Sequence, residues 1–377
     1  MRILVVTRSY PAPGDLYQYP FVHRRVLAYR RAGHDVAVFR PGDGGEAASH
    51  EFELVTCHTG DRDALGLFAA QWRPDVIAAH GFSEQMWPLL APLAGATPIR
   101  AWLHGSEIPA FFRAKANCIA DPSERARAMS AVKDRVDFWN GFLSSEPARF
   151  GLVFVSNAAV AMALEDWGGA LDRSEYAVIP NPIDTDLFGY HPKATDDRWS
   201  ILTIRPFDSA TYGNDMAVAV IRRLAAKFAR RTRFTVIGDG PLFAETVAPL
   251  AGMDRVRIER RFLSQSEIAQ QHRRHGIFLV PTRLDTQGVS RDEAMSSGLV
   301  PVTNAIPAVE EFVDDACAAL AAPDDVNGLV EALAAMLDDP DLFLRRSAAA
   351  AIRVRRQSGK DRVIAEELAL LRGAVDG

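Results

Sequence analysis

Short apolar runs alternate with longer amphipathic stretches over most of this 377-residue chain. Apolar runs without polar alternation need cover on both faces, which parallel strands connected by helices provide. The spacing therefore predicts an α/β fold. In the first half it places strands at 2–7, 34–39, 75–79, 99–103 and 151–155, and in the second at 200–204, 233–237, 276–280 and 299–303. Between the first two strands Val22, Val26 and Tyr29 recur at helical spacing, and Gly33 ends that helix. A helix over 215–231 turns Met216, Val220, Leu224 and Phe228 inward, with Asn214 or Asp215 as its cap. The stretch 124–142 is helical, and so is 341–372, with Leu342, Arg345, Ile364, Leu368 and Leu371 and no strand after it.

The length suits two domains, and Pro180 and Pro182 exclude regular structure just before the charged stretch 189–198. The expected division is 1–189 and 190–357, with a final helix at about 358–377 that joins the first domain. Hydrophobic residues at 48% are ample for two cores and exclude wholesale disorder, while a net charge of -5 supplies no basic field for nucleic acid. Cys57, Cys118 and Cys317 are scattered and form no CxxC, so neither a disulfide framework nor a cysteine zinc site is expected, and a reducing cytoplasm fits. The apolar start at 1–7 is too short for a secretion signal and reads as a buried strand, and no apolar run spans a bilayer. Phe111, Phe112, Arg113 and Lys115, just before the helix 124–142, mix aromatics with cations. Such a segment can lie on the inner face of an anionic membrane; the competing reading is inward packing with solvated charges.

The densest polar feature follows the strand 276–280. It is a loop with Arg283, Asp285 and Gly288, then a short helix from near Ser290 to Gly298. Ligands of open α/β sheets sit beyond the carboxyl ends of strands, and the free amides of Gly288, Val289 and Ser290 suit a phosphate. Ser290 and Glu293 also match a capping box, in which the pair serves only the helix. A second strand-to-helix turn carries Gly238 and Gly240, which makes a nucleotide-sized site the better reading. It lacks the third glycine of a dinucleotide fingerprint. In the first half, Gly14, His80, His104 and Glu107 lie just beyond strand ends. His104, beside Gly105, is the favoured functional histidine, with Gly105 expected to let a substrate approach the backbone.

Four blocks together resemble the retaining glycosyltransferases of family 4. They are 155–158 continuing to 178–184 and Phe188, the glycine loop 236–242, the segment 262–268, and the acidic pair Asp285 and Glu293 with seven residues between. The resemblance implies the GT-B fold, two facing Rossmann-like domains with parallel sheets and a central cleft. It implies that Glu293 binds the ribose and that Gly288, Val289 and Ser290 supply amides to the diphosphate or sugar. Asp285 would contact the transferred sugar, His104 would sit at the reaction centre, and Arg205 would neutralise the diphosphate, with Gly238, Gly240 and Arg283 on the donor side. Gly14, His80 and Glu107 fall on the acceptor side. No tightly held metal or cofactor is implied, because protein donors stabilise the departing diphosphate. The sequence departs from the family pattern in two places. Residue 285 is Asp where the family usually has Glu, and no lysine follows Arg205, which leaves Thr211, Tyr212 or Arg283 to assist.

The function implied is retaining transfer of a sugar from a nucleotide diphosphate sugar to an acceptor hydroxyl, in polysaccharide or glycoconjugate biosynthesis. The acceptor would be a carbohydrate, a lipid-linked or a small molecule. The alternatives are a catalytically weakened nucleotide-binding partner protein of the same fold and a GT-B nucleotide-sugar epimerase.

Overall fold

The structure is a computed structural model and describes residues 1–376 apart from 17, 43–46, 146, 168–170, 172–175 and 229–230. Residues 229–230, at the end of the helix expected over 215–231, thus lie outside the described residues. The chain forms two compact units. The first comprises Met1–Ala116, Asp121–Pro182 and Asp361–Gly377; the second comprises Asn117–Ala120 and Ile183–Lys360.

The first unit holds β1 (Arg2–Thr7), β2 (Asp35–Pro41), β3 (Ala48–Phe52), β4 (Val55–Gly60), β5 (Val76–His80), β6 (Ile99–Leu103), β7 (Phe150–Phe154) and β8 (Tyr176–Val178). They form one sheet in the order β3-β4-β2-β1-β5-β6-β7-β8, parallel except for β3 against β4. Ile3 and Val5 face one apolar cluster and Leu4 and Val6 the other, so both faces of β1 are covered. On one side lie Val22, Val26 and Tyr29 of the helix Pro20–Arg31 and Ile364, Leu368 and Leu371 of the C-terminal helix Lys360–Asp376.

The second unit holds β9 (Ser200–Ile204), β10 (Arg233–Gly238), β11 (Val256–Arg260), β12 (Ile277–Leu279), β13 (Val300–Asn304) and β14 (Ala319–Ala321), ordered β11-β10-β9-β12-β13-β14 and all parallel. In each sheet the first strand lies between strands reached in opposite directions along the chain. The loops beyond β1 and β5, and beyond β9 and β12, therefore flank topological switch points, where ligands of such sheets bind.

All nine expected strands form within about two residues of their predicted bounds. The five the patterning missed, β3, β4, β8, β11 and β14, lie at or next to a sheet edge, where one face needs no burial and the residues are polar or few. The division between units falls after Pro182 rather than near residue 190. Ile183 is buried with Met295 and Val309, and Phe188 with Leu202 and Phe278, so 183–188 already belong to the second unit. Ile183 also donates to the Ser358 carbonyl (2.8 Å) and accepts from the Lys360 amide (3.0 Å), which holds the two crossing strands of chain side by side.

Among the described residues no helix is long and apolar enough to cross a membrane. The aromatic and cationic segment is used internally. The guanidinium of Arg135 lies 3.9 Å from the Phe112 ring centre, Arg113 pairs with Asp166 (2.8 Å) and Glu165 (3.2 Å), and the Phe111 ring packs on Gly105. This arrangement favours inward packing over membrane contact.

Candidate functional site

In the second unit the loop leaving β9 carries Arg205, Pro206 and Phe207 back against the end of β10. The amide of Arg205 donates to the Ile237 carbonyl (3.1 Å) and that of Phe207 to the Asp239 carbonyl (2.8 Å). A Cβ on Gly238 would stand 2.0 Å from the Arg205 carbonyl oxygen, and one on Gly240 (φ 143°) 2.5 Å from the Phe207 carbonyl carbon. Both glycines therefore make room for this loop, and their absent side chains are replaced by protein backbone.

Arg205 is buried, at 6% exposure. One guanidinium nitrogen donates to Ser290 Oγ (3.2 Å), the ring of Tyr212 lies 5.1 Å away, and Nε has no partner among the described residues. Burial lowers the Arg205 pKa from its usual value, partly offset by the nearby Asp285 carboxylate. Among the described residues the side-chain hydrogen bond of this buried guanidinium goes to a neutral hydroxyl, and a buried cation is costly unless it is paired.

Ser290 reaches Arg205 because it does not cap its own helix. The helix Val289–Ser296 starts from Gly288 (φ 95°) with no side-chain cap, so the Ser290–Glu293 capping box does not form. The left-handed Gly288 leaves the first-turn amides uncapped beside Arg205, and the helix dipole adds to the pull on an anion. Asp285 is folded into its own loop, accepting from the amides of Thr286 (2.8 Å) and Gln287 (3.2 Å). The loop beyond β12 is tied to that beyond β9 by Arg283 N donating to the Thr211 carbonyl (2.9 Å) and Thr282 Oγ1 to the same oxygen (3.3 Å). Arg205, Asp285, Gly288, Val289 and Ser290 are thereby gathered at the second unit's switch point. Glu293 lies one helical turn after Val289, half-buried.

Arg283 is engaged by neighbouring carboxylates. Its guanidinium holds both oxygens of Asp215 (2.8 and 2.7 Å), Asp324 (2.6 Å) and the Ala210 carbonyl (2.8 Å), so its charge is already neutralised. The same pair explains why neither expected cap serves the helix Asn214–Lys227. Asp215 binds Arg283, Asn214 donates to the Pro206 carbonyl (2.9 Å), and Gly213 (φ 62°) takes the cap position.

In the first unit His80 ends β5 and His104 follows β6. Their rings stack at 5.4 Å and 17°, with His80 Nδ1 3.1 Å from His104 Nε2. Glu107 is buried and accepts from the amides of His104 (2.9 Å) and Gly105 (2.8 Å), so it holds the turn that carries His104. Burial raises its carboxyl pKa above the ordinary value. A Cβ on Gly105 (φ 141°) would stand 3.1 Å from the Phe111 ring, which packs against the bare backbone there. Gly14 lies in a tight turn closed by Ala12 and Asp15, with open space where a Cβ would be. Sequence reasoning missed Arg25, Asn181 and Glu367, which lie behind His104. Arg25 and Glu367 were detectable as charges on otherwise apolar helix faces.

Burial holds four histidines neutral. It is the first cause for His80 and His104, both well below the ordinary value, with the Arg25 charge second. Burial likewise takes His272 down to about 3, with Lys193 adding to it, and His275 to about 4. The unfolded chain binds these protons near pH 6.5 and the folded chain only well below it. Stability that is full above pH 6.5 is therefore lost as the pH falls toward 4, by about 1.4 kcal/mol per pH unit for each histidine. Glu107, with its raised pKa, works in the opposite sense in acid. The urea midpoint is expected to drop between pH 7 and pH 5; a midpoint that stays level would show these rings protonating in the folded protein.

The segment from β9 through β14 carries a recognisable family signature. Residues 200–339 match the family model of the glycosyl transferases group 1. The match contains the whole second sheet with Arg205, Asp285 and Ser290. No curated protein matches the chain. Solved structures match it end to end at low identity. Sucrose-phosphate synthase from Thermosynechococcus elongatus is 16% identical with a TM-score of 0.76, covering 99% of this chain and 98% of its own. HepE of Anabaena, in complex with UDP and glucose, is 13% identical with a TM-score of 0.71, covering 98% and 99%. A UDP-forming trehalose-phosphate synthase from Burkholderia xenovorans is 16% identical with a TM-score of 0.66, covering 99% of each chain. The fold is GT-B, and the second unit's family match supports a glycosyltransferase. Among the described residues no group of His, Cys, Asp and Glu could hold a metal ion.

Proposed function

We propose that the protein is a retaining glycosyltransferase that moves a sugar from a nucleotide diphosphate sugar to an acceptor hydroxyl, in polysaccharide or glycoconjugate biosynthesis. The observation that carries this reading is Arg205, buried beside the uncapped start of the helix Val289–Ser296. In this reading the second unit binds the donor and the first unit the acceptor. The diphosphate sits against the Arg205 guanidinium, the Ser290 hydroxyl and the amides of Val289 and Ser290, which need no rearrangement as charge develops on the leaving group. Asp285 contacts the transferred sugar, and Glu293 accepts the ribose hydroxyls. The acceptor attacks from the face the diphosphate leaves, and the departing phosphate takes the acceptor proton. HepE binds UDP and glucose in its solved complex, which supports a uridine diphosphate sugar as the first donor to try.

Calorimetric titration with a panel of sugar nucleotides tests the donor assignment. Glu293→Ala is expected to weaken binding by about 1.5–3 kcal/mol, roughly ten- to a hundred-fold, as a charged acceptor of ribose hydroxyls is lost. Equal affinities in the two proteins would remove Glu293 from the donor site. One observation favours a second reading, a nucleotide-binding partner of reduced activity. No lysine follows Arg205, Arg283 is committed to Asp215 and Asp324, and the nearby Arg291 is paired with Asp292 (2.7 Å). Sugar transfer above background by purified protein decides for the enzyme, and binding without turnover decides for the partner.

A further inference from the structure

The loop beyond β9 contains a single turn, Ala210–Tyr212, that is pinned to the loop beyond β12. The Thr211 carbonyl accepts from the Arg283 amide (2.9 Å) and from Thr282 Oγ1 (3.3 Å), and a Cβ on the following Gly213 would stand 2.8 Å from the Pro281 carbonyl oxygen. Tyr212 therefore has a fixed seat at the second unit's switch point. Its ring centre lies 5.1 Å from the Arg205 guanidinium, the arrangement of a cation on an aromatic face.

Four donor side chains of this rim are engaged within the protein. Thr211 Oγ1 donates to Ser209 Oγ (3.0 Å), Ser290 Oγ receives Arg205 (3.2 Å), Arg283 is held by Asp215 and Asp324, and Arg291 pairs with Asp292 (2.7 Å). The Tyr212 hydroxyl differs, because among the described residues it makes no hydrogen bond. The residue is half-buried, and burial raises its pKa; the Arg205 charge opposes that shift, and the Asp285 and Asp208 carboxylates add to it. The phenol thus bears its proton at neutral pH and is a hydrogen-bond donor in want of an acceptor.

We propose that Tyr212 is a further catalytic residue of the transfer reaction, its hydroxyl donating a hydrogen bond to the β-phosphate of the departing nucleoside diphosphate beside the Arg205 guanidinium. The inference rests on the transfer reading above and deepens it. Tyr212 gives no proton away. The phosphate takes one from the acceptor hydroxyl, and the phenol O–H only spreads the charge that builds on the leaving oxygens. One side chain then does two things: its ring seats the buried cation, and its hydroxyl supplies a donor that needs no rearrangement as the bond to the sugar breaks.

Tyr212→Phe separates the two, since it keeps the ring and deletes only the oxygen. Calorimetric titration with UDP, ADP and GDP, each against its monophosphate, reads the contact without turnover. For the diphosphate that the wild type binds, Tyr212→Phe is expected to weaken affinity about ten-fold and to leave the monophosphate affinity unchanged. Transfer kcat should fall about 10²-fold at an unchanged melting temperature. A tyrosine that only packs against Arg205 would move none of these values in the phenylalanine variant. An unchanged diphosphate affinity in Tyr212→Phe, or a measurable kcat that does not change, overturns the proposal, and turnover by the wild type keeps the transferase reading standing. If the diphosphate affinity falls as expected while neither protein turns over any donor, the contact stands and the transferase reading fails. No diphosphate binding by the wild type overturns both.

Discussion

Arg205→Ala is expected to lower transfer by about 10²–10³-fold while leaving the free protein at least as resistant to heat as before. The first figure is the typical cost of deleting one preorganised donor to a developing oxyanion. The second follows from the ligand-free site. Among the described residues the Arg205 guanidinium hydrogen-bonds the neutral Ser290 hydroxyl, so in the absence of an anion its desolvation is offset only in part, by the Asp285 carboxylate. Removing it relieves that cost, the usual relation between a functional charge and stability. Melting temperature and initial rate, measured on the same preparations, separate the two effects. A marked loss of thermal stability in Arg205→Ala would make the residue structural, and a rate near the wild-type value would remove it from the leaving-group site. Arg205→Lys should restore part of the rate, since the charge returns without the planar fork that spans two phosphate oxygens.

The second large effect lies in the first unit. Arg25 and Glu367 form an ion pair at zero exposure, and either single replacement leaves the partner charge buried. Arg25→Met or Glu367→Leu is expected to cost about 3–5 kcal/mol, whereas the double variant should recover most of that loss. Urea denaturation of the two singles and the double gives the coupling directly. Additive losses would mean that water reaches the pair in solution. The pair also bears on chain order, because it holds the helix Lys360–Asp376 against the helix Pro20–Arg31. Apolar burial of Ile364, Leu368 and Leu371 provides the attraction, and the ion pair fixes how the two helices are seated.

Much of the arrangement at the second unit's switch point was visible as spacing. Arg205, Asp285, Gly288 and Ser290 each follow a strand that the apolar pattern located, and in a parallel sheet the end of a strand fixes where its loop must emerge. What spacing did not reveal is how those residues divide the work. Ser290 and Glu293 match a capping box letter for letter, yet the left-handed Gly288 caps without a side chain and frees Ser290 for Arg205. Gly238 and Gly240 look like a phosphate loop, and their missing side chains also make room for the Arg205 and Phe207 backbone. Arg283 looks like a spare cation and is held by two aspartates, one of them 41 residues away in sequence.

The periodicity of apolar residues was enough to set the α/β class, nine strands and the edges of both rims, because burying both faces of a parallel sheet leaves a signature in every core strand. Hydrogen-bond partners have no such signature. Asn181 and Glu367 lie 156 and 342 residues from Arg25. Whether a charge on an apolar helix face is a defect or half of a pair depends on which distant face packs against it. Only the packed structure decided that, and with it which polar residues hold the site and which are left open for a ligand.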